Sequence, residues 1–135
     1  MSSYIASIDG GARGNPGPAG WGARIETSAG ELAAELRMAL PYATNNVAEY
    51  GGLIGALSWC LDQGAQGVHV RSDSLLLVQQ MKGVFKVKSD GLKGPHAQAR
   101  LLASRIGQVT YEHVPREQNK DADRLANLAM DEAGN

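Results

Sequence analysis

The sequence predicts an α/β domain: a five-stranded mixed sheet with helices on both faces. Three observations carry this. The chain has 135 residues, enough for one domain around one hydrophobic core, and residues 1–135 are read as that single domain. Its first third carries three strand-like segments, two of them joined by a short turn, which is the mark of antiparallel pairing. The rest alternates strand-like with helix-like runs, and parallel neighbours need such crossovers. The element order is βββαβααβα, with no repeat, linker or low-complexity tract.

Tyr4 to Asp9 alternates in polarity as a short strand. Gly10 to Gly20 is rich in Gly and Pro and reads as a loop. Gly22 to Thr27 is the second strand, Ser28-Ala29-Gly30 a turn, and Glu31 to Leu40 its hairpin partner. The Ala and Glu content of that partner would also suit a helix; the hairpin spacing favours a strand. Thr44 and Asn45 are good N-caps for a helix over 46–63, where Leu53, Ala56, Leu57 and Cys60 recur at three and four residues and Gly64 ends the run. Val68 to Asp73 is a fourth strand, Leu75 to Met81 a short helix, and Lys82 to Gly91 an irregular basic segment. Pro95 opens another helix through Ala99, Leu102, Ala103 and Ile106. Val109 to Val114 is the last strand, and a helix follows over 119–132.

Composition removes several classes. Hydrophobic residues make up 43% and charged residues 20%, ordinary globular usage that argues against disorder or a fibrous repeat. No apolar run approaches the ~20 residues of a membrane helix, and Met1-Ser2-Ser3-Tyr4 lacks a signal peptide's features, so a cytoplasmic protein without a membrane partner is expected. One cysteine, Cys60, forbids an internal disulfide and reads as a small buried hydrophobe. Thirteen Lys and Arg face fourteen Asp and Glu, for a net charge of −1. Four of the acids are metal-ligand candidates, and without them 10 acids face 13 bases, so net charge does not exclude a polyanion.

Those four are Asp9, Glu49, Asp73 and Asp123. Asp9 and Asp73 end the first and fourth strands, and if these run parallel both carboxylates emerge at one sheet edge, where open α/β sheets place their ligands. Glu49 sits in the first turn of its helix in line with Leu53 and Ala56, the stripe that faces the sheet. Asp123 occupies the first turns of the last helix beside the apolar face of Ala122, Leu125 and Ala129. No Lys or Arg is placed by sequence to neutralise all four. Clustered carboxylates resist ionisation unless a cation intervenes, and hard oxygen ligands select magnesium or manganese. Singly, each acid has a bland explanation as a turn former or a helix-dipole partner; the joint placement is what points to a metal site. Other chemistries fit poorly. The Gly-rich stretch lacks a P-loop lysine and leads into a strand, while His69, His96 and His113 lack zinc spacing and no G-x-S-x-G elbow is present.

The stretches Asp9–Gly22, Thr44–Glu49, Ser72–Ser74 and Arg116–Asn127, in this order, resemble the type 1 ribonuclease H family over essentially the whole chain. The resemblance implies a ribonuclease H-like fold and an endonuclease that hydrolyses the RNA strand of RNA/DNA hybrids, leaving 5′-phosphate and 3′-hydroxyl ends. It implies two Mg2+ ions, with Mn2+ a possible substitute: Asp9 bridging both, Asp123 completing the one that activates water, Glu49 and Asp73 holding the other. It further implies that the Gly10 and Gly11 backbone and the Asn15, Asn45, Asn46 and Glu49 side chains read RNA 2′-hydroxyls, with Thr44 in a pocket for a DNA-strand phosphate. The residue types suit these tasks. Glycine permits close approach, Asn offers donor and acceptor, and the 2′-hydroxyl separates RNA from DNA.

The match departs from the family in three places. Many relatives carry a basic helical protrusion between the second and third helices, whereas here only Lys82, Lys86, Lys88 and Lys93 surround Phe85. The loop histidine that assists proton transfer or product release in many relatives has no Gly-His context here; Arg116 is favoured for that auxiliary catalytic role, with His113 as a strand residue. An asparagine for the DNA-phosphate pocket has no clear match between Val84 and Lys88. The rivals are a non-catalytic hybrid-binding module and a resolvase- or integrase-type DNA nuclease; four retained acids oppose the first and the Asn and Gly set opposes the second. Nothing in a two-metal mechanism calls for a second subunit, so a monomer is expected.

Overall fold

A computed structural model describes residues 2–134. The strands are β1 (Ser3–Ala12), β2 (Gly17–Thr27), β3 (Leu32–Ala43), β4 (Gly67–Ser72) and β5 (Gln108–His113). The helices are α1 (Asn45–Asp62), α2 (Leu75–Met81), α3 (Asp90–Ile106) and α4 (Lys120–Gly134), with a single 3-10 turn at Arg116–Gln118. The sheet order is β3-β2-β1-β4-β5. β1 pairs antiparallel with β2, and β2 with β3; β1 pairs parallel with β4, and β4 with β5. The predicted mixed sheet and element order are therefore present, and no described helix is long and apolar enough to cross a membrane.

α1 and α3 cover one face of the sheet. Ala6, Ile8, Ala23, Ile25, Val68 and Val70 meet Leu53, Ala56, Leu57 and Cys60 there, and all are buried. Apolar area removed from water at about 25 cal/mol per Å2 is what holds the layers together. Cys60 belongs to this core, and burial pushes its thiol up to about 12, so it is inert at neutral pH. α1 carries Gly51 and Gly55 in its interior at a cost in helix propensity. The reason is Trp21: a Cβ at Gly51 would sit 2.6 Å from the indole Cδ1, so the glycines make room for the ring.

α4 packs on the opposite face, across β1, β2 and β3. Its buried stripe is Ala122, Leu125, Ala126, Ala129 and Met130. Gly20 on β2 lets it approach closely, since a Cβ there would lie 2.6 Å from that of Ala129.

Two segment boundaries differ from expectation. The Gly-Pro stretch read as a loop over 10–20 is mostly strand: β1 runs on through Gly10, Gly11 and Ala12, paired with Trp21, Gly20 and Ala19, leaving only Arg13 to Pro16 as the turn. Glycine is poor in strands for want of packing, but here α1 and α4 supply that packing from both sides. The other is α3, which begins at Asp90 and contains Pro95 in place of starting on it. The irregular basic segment is correspondingly shorter, ending at Ser89.

Candidate active site

Parallel pairing of β1 with β4 delivers Asp9 and Asp73 to the same sheet edge. The ladder between them ends at the Ile8–Ser72 pair, one residue short of each acid. α1 starts over this edge, with the Thr44 side chain accepting from the Val47 N–H at 3.2 Å, which points its first turn and Glu49 at the strand ends. Carboxylate oxygens of Asp9, Glu49 and Asp73 lie within 4.8 Å of one another. Asp123, on the first turn of α4, closes the group and touches the Asp9 carboxyl. All four acids line one open cleft of about 780 Å3.

Electrostatics record the crowding. Asp9 is 9% exposed; burial first, then repulsion from Asp73 and contact with Asp123, push it up to about 8, against a hydrogen bond from the Gly10 N–H at 2.9 Å. Burial and Asp73 raise Glu49 to about 7, and a hydrogen bond with Ser74 holds it back. Asp73 is also raised by burial, with Arg116 pulling the other way. Among the described residues, the one cation at the cluster pairs only loosely and in solvent: the Arg116 guanidinium is 3.8 Å from Asp123 and its side chain is 80% exposed. A set of hard carboxylate oxygens, held together at the expense of their own ionisation, fits a hard divalent cation such as magnesium or manganese.

The remaining candidates divide. Gly10, Gly11, Asn45, Asn46 and Arg116 line the cleft beside the acids. Asn15 and Thr44 are not among its lining residues. The Asn15 Oδ1 accepts from the Asn45 N–H at 3.0 Å, and the Asn45 Oδ1 accepts from the Ala12 N–H at 2.7 Å, so the two amides brace the β1–β2 turn against α1. The oxygen ends are thus committed and the amide NH2 ends are left for a ligand. Gly10 has no room for a side chain: a Cβ would stand 2.6 Å from the Glu49 nitrogen. His113 ends β5 at the cleft rim, exposed, with its Nε2 3.2 Å from the Asp73 carbonyl oxygen.

Further cleft residues carry no role in the sequence reading, among them Met130 and, within the stretches that resemble the family, Ser74, Glu117 and Asn127. Asn127 and Met130 lie four and seven residues beyond Asp123, on its side of α4, so helical spacing alone could have found them. Ser74 caps α2, accepting from the Leu77 N–H at 3.2 Å. Its position directly after Asp73 at a helix start was the available signal.

A family model described as reverse transcriptase-like matches residues 7–129. The bifunctional protein Rv2228c of Mycobacterium tuberculosis is 49% identical over 130 residues, 96% of this chain and 36% of that protein. The solved N-terminal RNase H domain of Rv2228c superposes with a TM-score of 0.96 at 47% identity, covering 99% of this chain and 97% of that one. Ribonuclease HI of Halobacterium salinarum is 39% identical over 95% of this chain and 64% of its own length. The structure of RNase H1 from that archaeon gives a TM-score of 0.92 at 38% identity, covering 96% and 98% of the two chains. LC11-RNase H1, solved in complex with an RNA/DNA hybrid, gives 0.92 at 42% identity over 98% and 99%. The chain thus spans about a third of the length of the mycobacterial relative and under two thirds of the haloarchaeal one.

Proposed function

This chain belongs to the ribonuclease H family, and from that premise we propose that it cleaves the RNA strand of RNA/DNA hybrids endonucleolytically, leaving 5′-phosphate and 3′-hydroxyl ends. The observation that carries the reading is the convergence of Asp9, Glu49, Asp73 and Asp123 in one cleft with the Gly10 and Gly11 backbone and the Asn45 and Asn46 side chains. Relatives named ribonuclease H, one of them solved with an RNA/DNA hybrid, support it.

The four carboxylates would hold two magnesium ions, with manganese a substitute. Bound there, such ions stabilise the attacking and leaving oxygens of an in-line displacement at phosphorus and make water a competent nucleophile at neutral pH. Asp9, which both Asp73 and Asp123 influence, would be the ligand shared between the two positions. Gly10 lets α1 close onto the strand, Gly11 leaves the cleft floor open to the RNA backbone, and the free NH2 ends of Asn45 and Asn15 donate to 2′-hydroxyl oxygens. Asn46 serves the same reading, and Thr44 borders the position of a DNA-strand phosphate. Arg116, exposed and permanently charged, draws the leaving strand's phosphate away from the acids and assists turnover. A monomer suffices, since every group used comes from one chain.

An end-labelled RNA/DNA hybrid, incubated with and without magnesium beside single-stranded RNA, duplex DNA and an Asp73→Asn variant, tests the reading. Magnesium-dependent cutting confined to the hybrid's RNA, and lost in Asp73→Asn, is the expected result. Binding without cutting would make the chain a hybrid-binding module, and cutting of duplex DNA would make it a resolvase-type nuclease.

A further inference from the structure

We infer that Asn119 is a positioning residue that sets the separation of Asp9 and Asp123, an inference that rests on the proposed metal-dependent cleavage. Asn119 lies immediately before α4, at the helix start where an asparagine side chain ordinarily accepts a hydrogen bond from the second or third amide of the helix. It does not do so. Its side chain turns back into the protein, is 2% exposed, and donates from Nδ2 to the Ile8 carbonyl at 2.8 Å, a contact between residues 111 apart in sequence. Ile8 directly precedes Asp9 and is the last β1 residue paired with β4.

The rest of Asn119 holds the other half of the site. Its carbonyl accepts from the Asp123 N–H at 3.1 Å, and its own N–H donates to the Arg116 carbonyl at 3.0 Å. One residue therefore joins the strand that presents Asp9, the helix turn that presents Asp123, and the 3-10 turn that presents Arg116. It is not among the residues lining the cleft, so it acts through these neighbours and not on a substrate.

The side chain is poorly chosen for stability alone. Its Oδ1 is buried and finds no partner among the protein's own groups. Stranding an acceptor costs stability, whereas an apolar side chain would fill the same space without that penalty. What an apolar residue could not supply is the donor to Ile8. Asp9 and Asp123 are like-charged carboxylates gathered in one cleft, which repel, and a tie behind them opposes their separation where no substrate atom is displaced. Outer partners of this kind commonly govern metal affinity without touching the metal.

The test compares wild type, Asn119→Ala and Asn119→Asp, the last keeping the shape but exchanging the donor for an acceptor. Two readouts are taken well below each protein's melting temperature or relative to it: kcat and KM on the hybrid, and the rise in Tm on adding magnesium. The expected result is a kcat loss of roughly 10–100-fold with KM changed by less than about twofold, and a magnesium-induced rise clearly smaller than in wild type. A variant with wild-type kcat and the full magnesium-induced rise, however low its own Tm, overturns the inference. If Asn119→Ala does not fold, Asn119→Asp is judged by the same two criteria. Wild-type protein that fails to cut the hybrid defeats the proposed reaction instead, and the magnesium comparison then judges the tie alone.

Discussion

Arg116 and His113 approach the acid cluster from different directions, and their geometry separates their roles. Arg116 reaches Asp123 at 3.8 Å from an exposed 3-10 turn. His113 is anchored by its ring to the Asp73 carbonyl oxygen at the end of β5. A group that assists turnover must move between positions, which the exposed guanidinium can do and the anchored ring cannot do without breaking its hydrogen bond. Arg116→Ala is therefore expected to lower kcat by about tenfold, short of the roughly 100–10,000-fold of a primary general acid or base, while His113→Ala lowers it less. Steady-state turnover of the two variants on one hybrid decides this, and the reverse order would assign the role to His113. At this scale the acids were legible from their places near strand ends and helix starts, although the structure sets Asp9 inside β1, just past its last pair with β4, and Glu49 beyond the first turn of α1. Ser74 and Asn119 were not: one acts through Glu49 on another helix, the other through Ile8 far away in sequence.

At the scale of elements, the site depends on how closely α1 descends onto β1. A methyl group at Gly10 would collide with the Ala48 and Glu49 backbone, so Gly10→Ala must push the helix and the strand apart. Overpacking of this kind costs about 1–3 kcal/mol, and displacement of a reacting group by ~1 Å costs on the order of 100-fold in rate. Thermal unfolding and kcat measured on the same preparation check both; wild-type kcat in Gly10→Ala would show that the approach is not critical. The basic segment after α2 is a second case. Lys82 and Lys86 border a cavity of about 460 Å3 together with Phe85, His96 and Arg100, whereas Lys93 lies on α3, paired with Asp90 at 3.0 Å. Lys82→Ala with Lys86→Ala should raise KM several-fold at low salt and flatten its salt dependence, kcat being unchanged, because each lost phosphate contact removes one released counterion. Lys93→Ala should do neither, and an unchanged KM in the double variant removes the segment from the substrate interface. Element identity was legible from periodicity for most of the chain and from hairpin spacing for β3, but boundaries were not where tertiary packing prevailed. Gly10 to Ala12 are strand because Trp21, Gly20 and Ala19 pair with them, and Pro95 sits inside α3 because that helix begins a turn and a half earlier, at Asp90.

For the molecule as a whole, the acid cluster makes stability a function of pH and of divalent cation. Asp9 and Glu49 titrate near 3.8 and 4.5 in an unperturbed chain, and in the fold they are pushed up to about 8 and about 7, with Asp73 raised as well. Between roughly pH 4 and 8 the folded protein therefore holds protons that the unfolded chain has released. Stability rises with pH only where the unfolded state binds more protons, so here it falls. The contribution is fully present below the unfolded values and is lost as pH climbs through the folded ones. Glu112 and Glu132, lowered by His69 and Arg37, act in the opposite sense at lower pH, but both are exposed pairs of small effect. A divalent cation bound at the cluster would replace the protons and should restore what the rise in pH removes. At ten times its Kd a ligand specific to the folded state adds about 1.4 kcal/mol, or about 3–6 °C in Tm for a chain of this length. Metal-free protein should thus melt lower at pH 8 than at pH 5.5, and millimolar magnesium should raise Tm at pH 8 and far less at pH 5.5, where protons compete for the same oxygens. Asp9→Asn removes the most strongly shifted carboxylate, so its metal-free Tm at pH 8 should exceed that of wild type while its magnesium response shrinks. A metal-free Tm that is flat from pH 5.5 to 8, or a magnesium rise equal at both, would mean that the four acids do not share their charge with a cation.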